Sequence, residues 1–332
     1  MTGGESASMK IVITDYQYDD INQEKTIIQS AGFELVPYQL KNSSELIPAV
    51  CDADALIVQY VLIDSEVIGS LENCKIIIKY GIGVNNIDVE AATKKGIFVC
   101  NVPDYGVDEV SNHAITMIFM LAKKITLAIE AFRNGEWGYS QIVPLFRMEA
   151  SVLGLVGFGR IPQMVAHKLK NFGLNIIVFD PYAKPEVFEE ANVTQVDLET
   201  LCKKSDFISI HCPQTKETTH LFDSKAFKMM KSTAFIINTA RGPIIEQNAL
   251  IEALNNKIIA GAALDVFEQE PLPMDSCLFK MKNVILTPHI AWYSEESIKT
   301  LQRKVAEEVV RVLQGHQPLN CVNIKDLRLR KY

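Results

Sequence analysis

Short apolar runs alternate with helical patterns along almost the whole chain. The first set of runs lies at 11–14, 33–36, 55–58, 76–78 and 97–99. Each has the length of a buried strand, and amphipathic stretches separate them, which predicts a five-stranded parallel α/β unit. The rhythm then changes. Residues 107–132 read as one long helix stopped by Asn134-Gly135, and 137–147 form a loop rich in aromatic and apolar side chains. A second set of runs follows at 152–156, 176–179, 207–210, 235–238, 260–266 and 284–286. Helical segments near 198–203, 224–230 and 246–255 lie between them, so a second sheet of six strands is expected. A last helix opens at Ser294, with Ser297 in its first turn, and stops at Gly315.

The stretch 151–180 organises the second sheet. An apolar run ends in Gly157-Phe158-Gly159, a helical pattern follows to Gly173, and another apolar run ends in Asp180. Gly157 allows a sharp turn, and Gly159 lets backbone approach a pyrophosphate closely. The N–H groups of Arg160 and Ile161 open the helix and face the anion. Asp180, 21 residues beyond Gly159, is placed to accept the ribose hydroxyls and to repel a 2′-phosphate, so NAD is favoured over NADP. The third glycine of the usual pattern is Pro162, tolerated in a first helical turn where the N–H has no intrahelical partner.

Composition narrows the class. A chain of 332 residues with 48% hydrophobic content predicts two domains with real cores. A net charge of −7 argues against a nucleic-acid surface. No apolar run approaches a membrane span, and the polar start MTGGESAS (residues 1–8) reads as a disordered extension or tag. Seven scattered cysteines suggest reduced thiols of a cytoplasmic protein, and no metal-ligand spacing appears. After the fourth strand comes Lys79-Tyr80-Gly81-Ile82-Gly83, whose charge and loop amides could hold a small carboxylate. The other informative residues fall at strand carboxyl ends: Gly157, Asp180, His211, Arg241, Asp265 and His289.

The motifs KYGIGVNNID, GLVGFGRI, DFISIHCP, NTARG, ALDVFEQEP and TPHIAWYSEES occur in this order. With them the chain resembles the D-isomer-specific 2-hydroxyacid dehydrogenase family from about Met9 to Asn323. The last motif is similar to the C-terminal-binding proteins, a corepressor branch, and their bacterial relatives. The resemblance implies a flavodoxin-like substrate domain split between 9–105 and 295–325, and a Rossmann NAD-binding domain at 106–294. It implies a catalytic set of Arg241, Glu270 and His289. His289 would give a proton to the substrate carbonyl, Glu270 would orient the imidazole, and Arg241 would bind the 2-oxo acid. Cofactor contacts carried over are Gly157, Gly159, Arg160, Ile161, Asp180, Cys212, Thr239, Ala240, Arg241, Asp265, His289 and Ala291, with Asp265 fixing the carboxamide. Substrate contacts are Gln59, Tyr60, Lys79, Gly81, Ile82, Gly83, Arg241 and Trp292. A homodimer built through the cofactor domains is implied as well.

Two departures bear on the substrate. Gln59 stands where the similar phosphoglycerate dehydrogenases usually carry a phosphate-binding arginine, and Trp292 offers a flat apolar wall. A 2-oxo acid with an uncharged side chain is therefore expected. Lys79 replaces the arginine of many relatives, and a point charge grips a carboxylate less rigidly than a fork. The alternatives are a D-3-phosphoglycerate dehydrogenase and, in another class, an NAD(H)-sensing scaffold with weak turnover.

Overall fold

The computed structural model describes residues 8–329. The extension expected at 1–8 lies outside them except for Ser8, whose hydroxyl donates to Gly32 O at 2.8 Å. The chain forms two compact units. One ends at Tyr105 and resumes at Ser294, and the other is Gly106–Tyr293.

The first unit holds strands β1 (Lys10–Ile13), β2 (Glu34–Pro37), β3 (Ala55–Val58), β4 (Ile76–Lys79) and β5 (Phe98–Cys100). All pair in parallel, in the order β2-β1-β3-β4-β5, which is the flavodoxin-like order. The central strands are covered on both faces. Ile11 to Ile13, all of β3 and Ile76 to Ile78 are fully buried, which is why they read as unbroken apolar runs rather than alternations. Helix Glu295–Leu313 returns to this unit and packs on helix Asn22–Ser30. Its start is fixed by a reciprocal capping box between Ser294 and Ser297.

The second unit holds β6 (Val152–Val156), β7 (Asn175–Phe179), β8 (Thr194–Gln195), β9 (Phe207–Ile210), β10 (Phe235–Asn238), β11 (Gly261–Leu264) and β12 (Val284–Leu286). They form one parallel sheet in the order β12-β11-β10-β9-β6-β7-β8. Seven strands stand where six were expected. The added β8 is a two-residue edge strand with both side chains exposed, too short to show a period. Strand order reverses between β6 and β9, and a crevice opens at their carboxyl ends.

The long helix expected at 107–132 is broken. Helix Val107–Ala122 ends on Lys123, Lys124 turns left-handed at φ 48°, and a second helix runs Ile125–Arg133. The apolar period continues across the break, so the pattern alone does not reveal it. The first helix buries Val110, Ala114, Met117, Ile118 and Leu121, whereas no residue of the second is buried. No helix among the described residues is long and apolar enough to cross a membrane.

Candidate active site

The turn after β6 is built around one close approach. Gly157 has φ +86°, and a Cβ there would sit 3.0 Å from the backbone N and Cα of Cys212. Only glycine satisfies both demands. Gly157 N–H donates to Phe179 O at 2.8 Å, and Phe158 N–H donates to Asp180 Oδ2 at 2.8 Å. Asp180 Oδ1 also accepts from Tyr182 and Ala183 N–H at 2.8 and 3.1 Å. The carboxylate at the end of β7 is thus locked onto the glycine turn. Helix Arg160–Leu169 starts immediately after Gly159, with Pro162 buried in its first turn.

These residues fit a dinucleotide. A Cβ on Gly159 would meet nothing within 4 Å, so that face of the turn is open to a ligand. Thr239 is buried after β10, and its hydroxyl has no partner among the described residues. Such an orphan beside a nucleotide turn suits a ligand contact. Cys212 packs against Gly157, and burial pushes its thiol up to about 12. It is a wall of this crevice and not a nucleophile. Burial likewise pushes His211 down to about 3, and the neutral ring bonds Ser209 Oγ at 2.9 Å.

The Arg241 turn depends on a second glycine. A Cβ on Gly242 would lie 1.9 Å from the Phe267 carbonyl, so the chain after β10 docks directly on the loop after β11. That loop carries Glu270. Its Oε1 accepts from Phe267 N–H at 3.0 Å, and its Oε2 lies 2.6 Å from His289 Nδ1. Partial burial opposes ionisation of Glu270. The His289 hydrogen bond and charge, the Phe267 amide and the Arg241 charge together outweigh it and hold the carboxyl below its ordinary range. With Nδ1 engaged, Nε2 is the ring nitrogen left for chemistry. Arg241 is half-buried, and its Nη1 donates to Ala240 O at 2.6 Å.

His289 has φ +56°, an unusual conformation for a histidine. Asp265 holds it there. His289 N–H donates to Asp265 O at 2.8 Å. The Asp265 carboxylate is fully buried and accepts from Thr287 Oγ1, from Ile290 N–H at 3.0 Å and from Ala291 N–H at 2.9 Å. Through these bonds Asp265 fixes the 287–291 turn. His113, on helix Val107–Ala122, joins this network at 3.1 Å from Thr287 Oγ1 and 3.7 Å from Asp265 Oδ1. Sequence reasoning gave His113 no role. Trp292 Nε1 donates to His289 O at 2.9 Å, and buried Ala291 completes the turn.

The first unit carries the residues expected to meet substrate. Gln59 is 3% exposed and its Oε1 accepts from Gln17 N–H at 2.7 Å, so its amide faces inward. The cause is Asp15, a buried carboxylate that accepts the N–H groups of Gln59, Tyr60 and Val61. This pins the loop and turns Tyr60 outward, 51% exposed. Gly81 donates its N–H to Lys79 O at 2.9 Å, which leaves the Ile82 and Gly83 amides as that loop's candidate donors. Lys79 Nζ donates to Gln59 O and to Asn86 Oδ1, the latter at 2.9 Å, and lies 5.6 Å from the Tyr60 ring centre. No cluster able to hold a metal ion occurs among the described residues.

Comparison with known proteins places this geometry. Residues 115–291 match the family model for the D-isomer specific 2-hydroxyacid dehydrogenase, NAD binding domain. A glyoxylate reductase of Thermococcus litoralis is 42% identical over 285 residues, covering 84% of this chain and 86% of its own. A D-3-phosphoglycerate dehydrogenase of Methanocaldococcus jannaschii is 39% identical over 325 residues; the match takes in 97% of this chain but 61% of that longer protein. The crystal structure of a D-lactate dehydrogenase from Aquifex aeolicus, complexed with NAD and lactic acid, superposes with a TM-score of 0.86 at 26% identity, covering 94% of this chain and 98% of that one. Two parallel α/β sheets, a glycine turn suited to NAD and this extent of likeness have one reading: the chain belongs to the D-isomer-specific 2-hydroxyacid dehydrogenase family.

Proposed function

We propose that the protein reduces the carbonyl of a small 2-oxo acid to the D-2-hydroxy acid, reversibly, with His289 as proton donor. The 2.6 Å pair of His289 Nδ1 and Glu270 Oε2 carries this reading. Glu270 stays ionised and orients the ring, so that Nε2 presents a proton to the substrate oxygen. Arg241 binds the 2-oxo acid through its fork. Lys79, with the Ile82 and Gly83 amides, takes the carboxylate. The Gly157–Ile161 turn, Asp180, Thr239, Ala240 and the Cys212 wall would hold NAD, which would supply or accept the hydride.

The substrate we favour has an uncharged side chain. Tyr60 faces outward on its loop, and Gln59 stands where the similar phosphoglycerate dehydrogenases usually carry a phosphate-binding arginine. Several similar proteins are named glyoxylate reductase. The likeness to the corepressor branch rests on Trp292 and the motif around it. The test is NADH oxidation against glyoxylate, pyruvate, hydroxypyruvate, phosphohydroxypyruvate and bulkier keto acids. Preferred turnover of an uncharged acid is expected; preference for phosphohydroxypyruvate would move the assignment to phosphoglycerate oxidation.

The working form we propose is a cytoplasmic homodimer built through the second unit. Ile125, Ile129 and Phe132 recur along one stripe of helix Ile125–Arg133 and are 41%, 46% and 65% exposed. Trp137, Tyr139, Val143 and Phe146 of the following loop are exposed too. An apolar surface of this extent on one face suits a second copy.

A further inference from the structure

Cys100 and Cys321 face each other in the first unit. Cys100 is the last residue of β5, and Cys321 lies in the segment after helix Glu295–Leu313; the two form an antiparallel bridge. The flanking bonds define its type. Asn101 N–H donates to Asn320 O at 3.1 Å, and Val322 N–H donates to Val99 O at 2.9 Å. The bonds thus bracket the cysteines, which occupy a non-hydrogen-bonded pair. Such a pair holds its Cα atoms about 4.5 Å apart, inside the range of about 4.4–6.8 Å that a disulfide spans.

We infer that Cys100 and Cys321 form a thiol–disulfide exchange site, which a low-molecular-weight disulfide such as oxidised glutathione closes into an intramolecular bond.

The two thiols are unequal in the way this requires. Cys100 is fully buried and out of an oxidant's reach, whereas Cys321 is partly exposed. Interaction with the Cys100 thiol holds Cys321 below the ordinary thiol range, while Cys100 is raised. Cys321 is therefore the attacking thiolate. It attacks one sulfur of the external disulfide, forming a Cys321–glutathione bond and expelling one glutathione thiolate. Cys100 then loses its proton and attacks the Cys321 sulfur, expelling the second glutathione. The two cysteines lose two electrons in all, and the external disulfide gains them as two thiols.

The surroundings keep the pair in register. Asn323 is buried. Its Oδ1 accepts from Val99 N–H at 3.0 Å and lies 3.1 Å from Cys321 Sγ, and its Nδ2 donates to Thr93 Oγ1 and Ile97 O. Asn101, next to Cys100, donates from its side chain to Ile82 O at 2.6 Å, and Val102 N–H donates to Gly81 O at 2.9 Å. The site thus lies one residue from the groups that hold the 81–83 loop. The remaining cysteines are free as well; exposed Cys277 serves as an internal reference for simple adduct formation.

The experiment is incubation of the native, full-length protein with oxidised glutathione, quenching with a thiol alkylator, and peptide mapping by mass spectrometry. A Cys100–Cys321 linked peptide that dithiothreitol releases is expected. In Cys100→Ala, Cys321 should stop at the glutathione adduct. A wild-type protein in which Cys321 remains a thiol, or accumulates as the adduct while Cys100 stays alkylatable, would overturn the site. Cys321→Ser, which changes a partly exposed position, provides the second variant. Cys100 should then stay reduced, and oxidation of Cys100 there would also overturn the order of attack.

Discussion

Glu270 Oε2 lies 2.6 Å from His289 Nδ1, and the same carboxyl accepts the Phe267 amide through its other oxygen. One short loop thereby fixes the imidazole's tautomer and direction. The Glu270 carboxyl is held below its ordinary value, so this arrangement is complete above the ordinary carboxylate range and is lost only as pH falls through the lowered value. Glu270→Gln should lower kcat/KM by roughly a hundredfold or more. The reductive pH profile of the wild type should show an acid limb below the ordinary carboxylate range, and that limb should vanish in the variant.

The three glycines of the site should fail differently when given a methyl group. Gly159→Ala meets open space, so its melting temperature should stay near wild type while its NADH affinity falls. Gly157→Ala meets Cys212 at a positive φ and should lose about 1–3 kcal/mol of stability. Gly242→Ala would drive a Cβ into the Phe267 carbonyl and should not yield folded protein. Calorimetry with fluorescence titration of NADH separates the three.

Glu24 gives a pH effect of the opposite sign. It is fully buried; burial raises its carboxyl, and the hydrogen bond from Tyr80 only partly offsets the rise. Its Oε2 has no partner among the described residues. A raised folded value means the native state holds the proton more tightly, so the cost of ionising Glu24 is absent below the unfolded value and grows as pH climbs through the folded one. Glu24→Gln should therefore raise the melting temperature at pH 8 and leave it unchanged near pH 4. An equal shift at both would contradict a titrating Glu24.

Phe132, at the end of the exposed apolar stripe, lies 6.0 Å from Trp137, ring centre to ring centre. Phe132→Glu should convert the proposed dimer to a monomer in light scattering while leaving the thermal transition of the second unit in place. A wild-type protein that is monomeric at micromolar concentration would remove the dimer from the account.

Much of the fold was legible because the central strands are buried on both faces. Runs such as 55–58 and 235–238 carry no polar interruption, and the structure starts and stops those strands at the same residues. What escaped was set by single backbone or tertiary events. Lys124 breaks a continuous apolar period with one left-handed residue. Thr194–Gln195 joins a sheet through pairing alone. In the site, residue types at strand ends were readable, but their orientation was not. Gln59 turns inward because Asp15, 44 positions earlier, takes three amides of its loop. Asp265 takes the amides of Ile290 and Ala291 in a distant turn, and His113 reaches that turn from 174 positions before Thr287. No local pattern encodes such long-range hydrogen bonds.

The most direct test compares the wild type with His289→Ala, using saturating NADH and glyoxylate or whichever 2-oxo acid the wild type turns over best. NADH oxidation should fall about 10²- to 10⁴-fold in the variant, with NADH affinity retained. A variant that turns over at the wild-type rate, with its fold and cofactor binding intact, would show that His289 is not the proton donor.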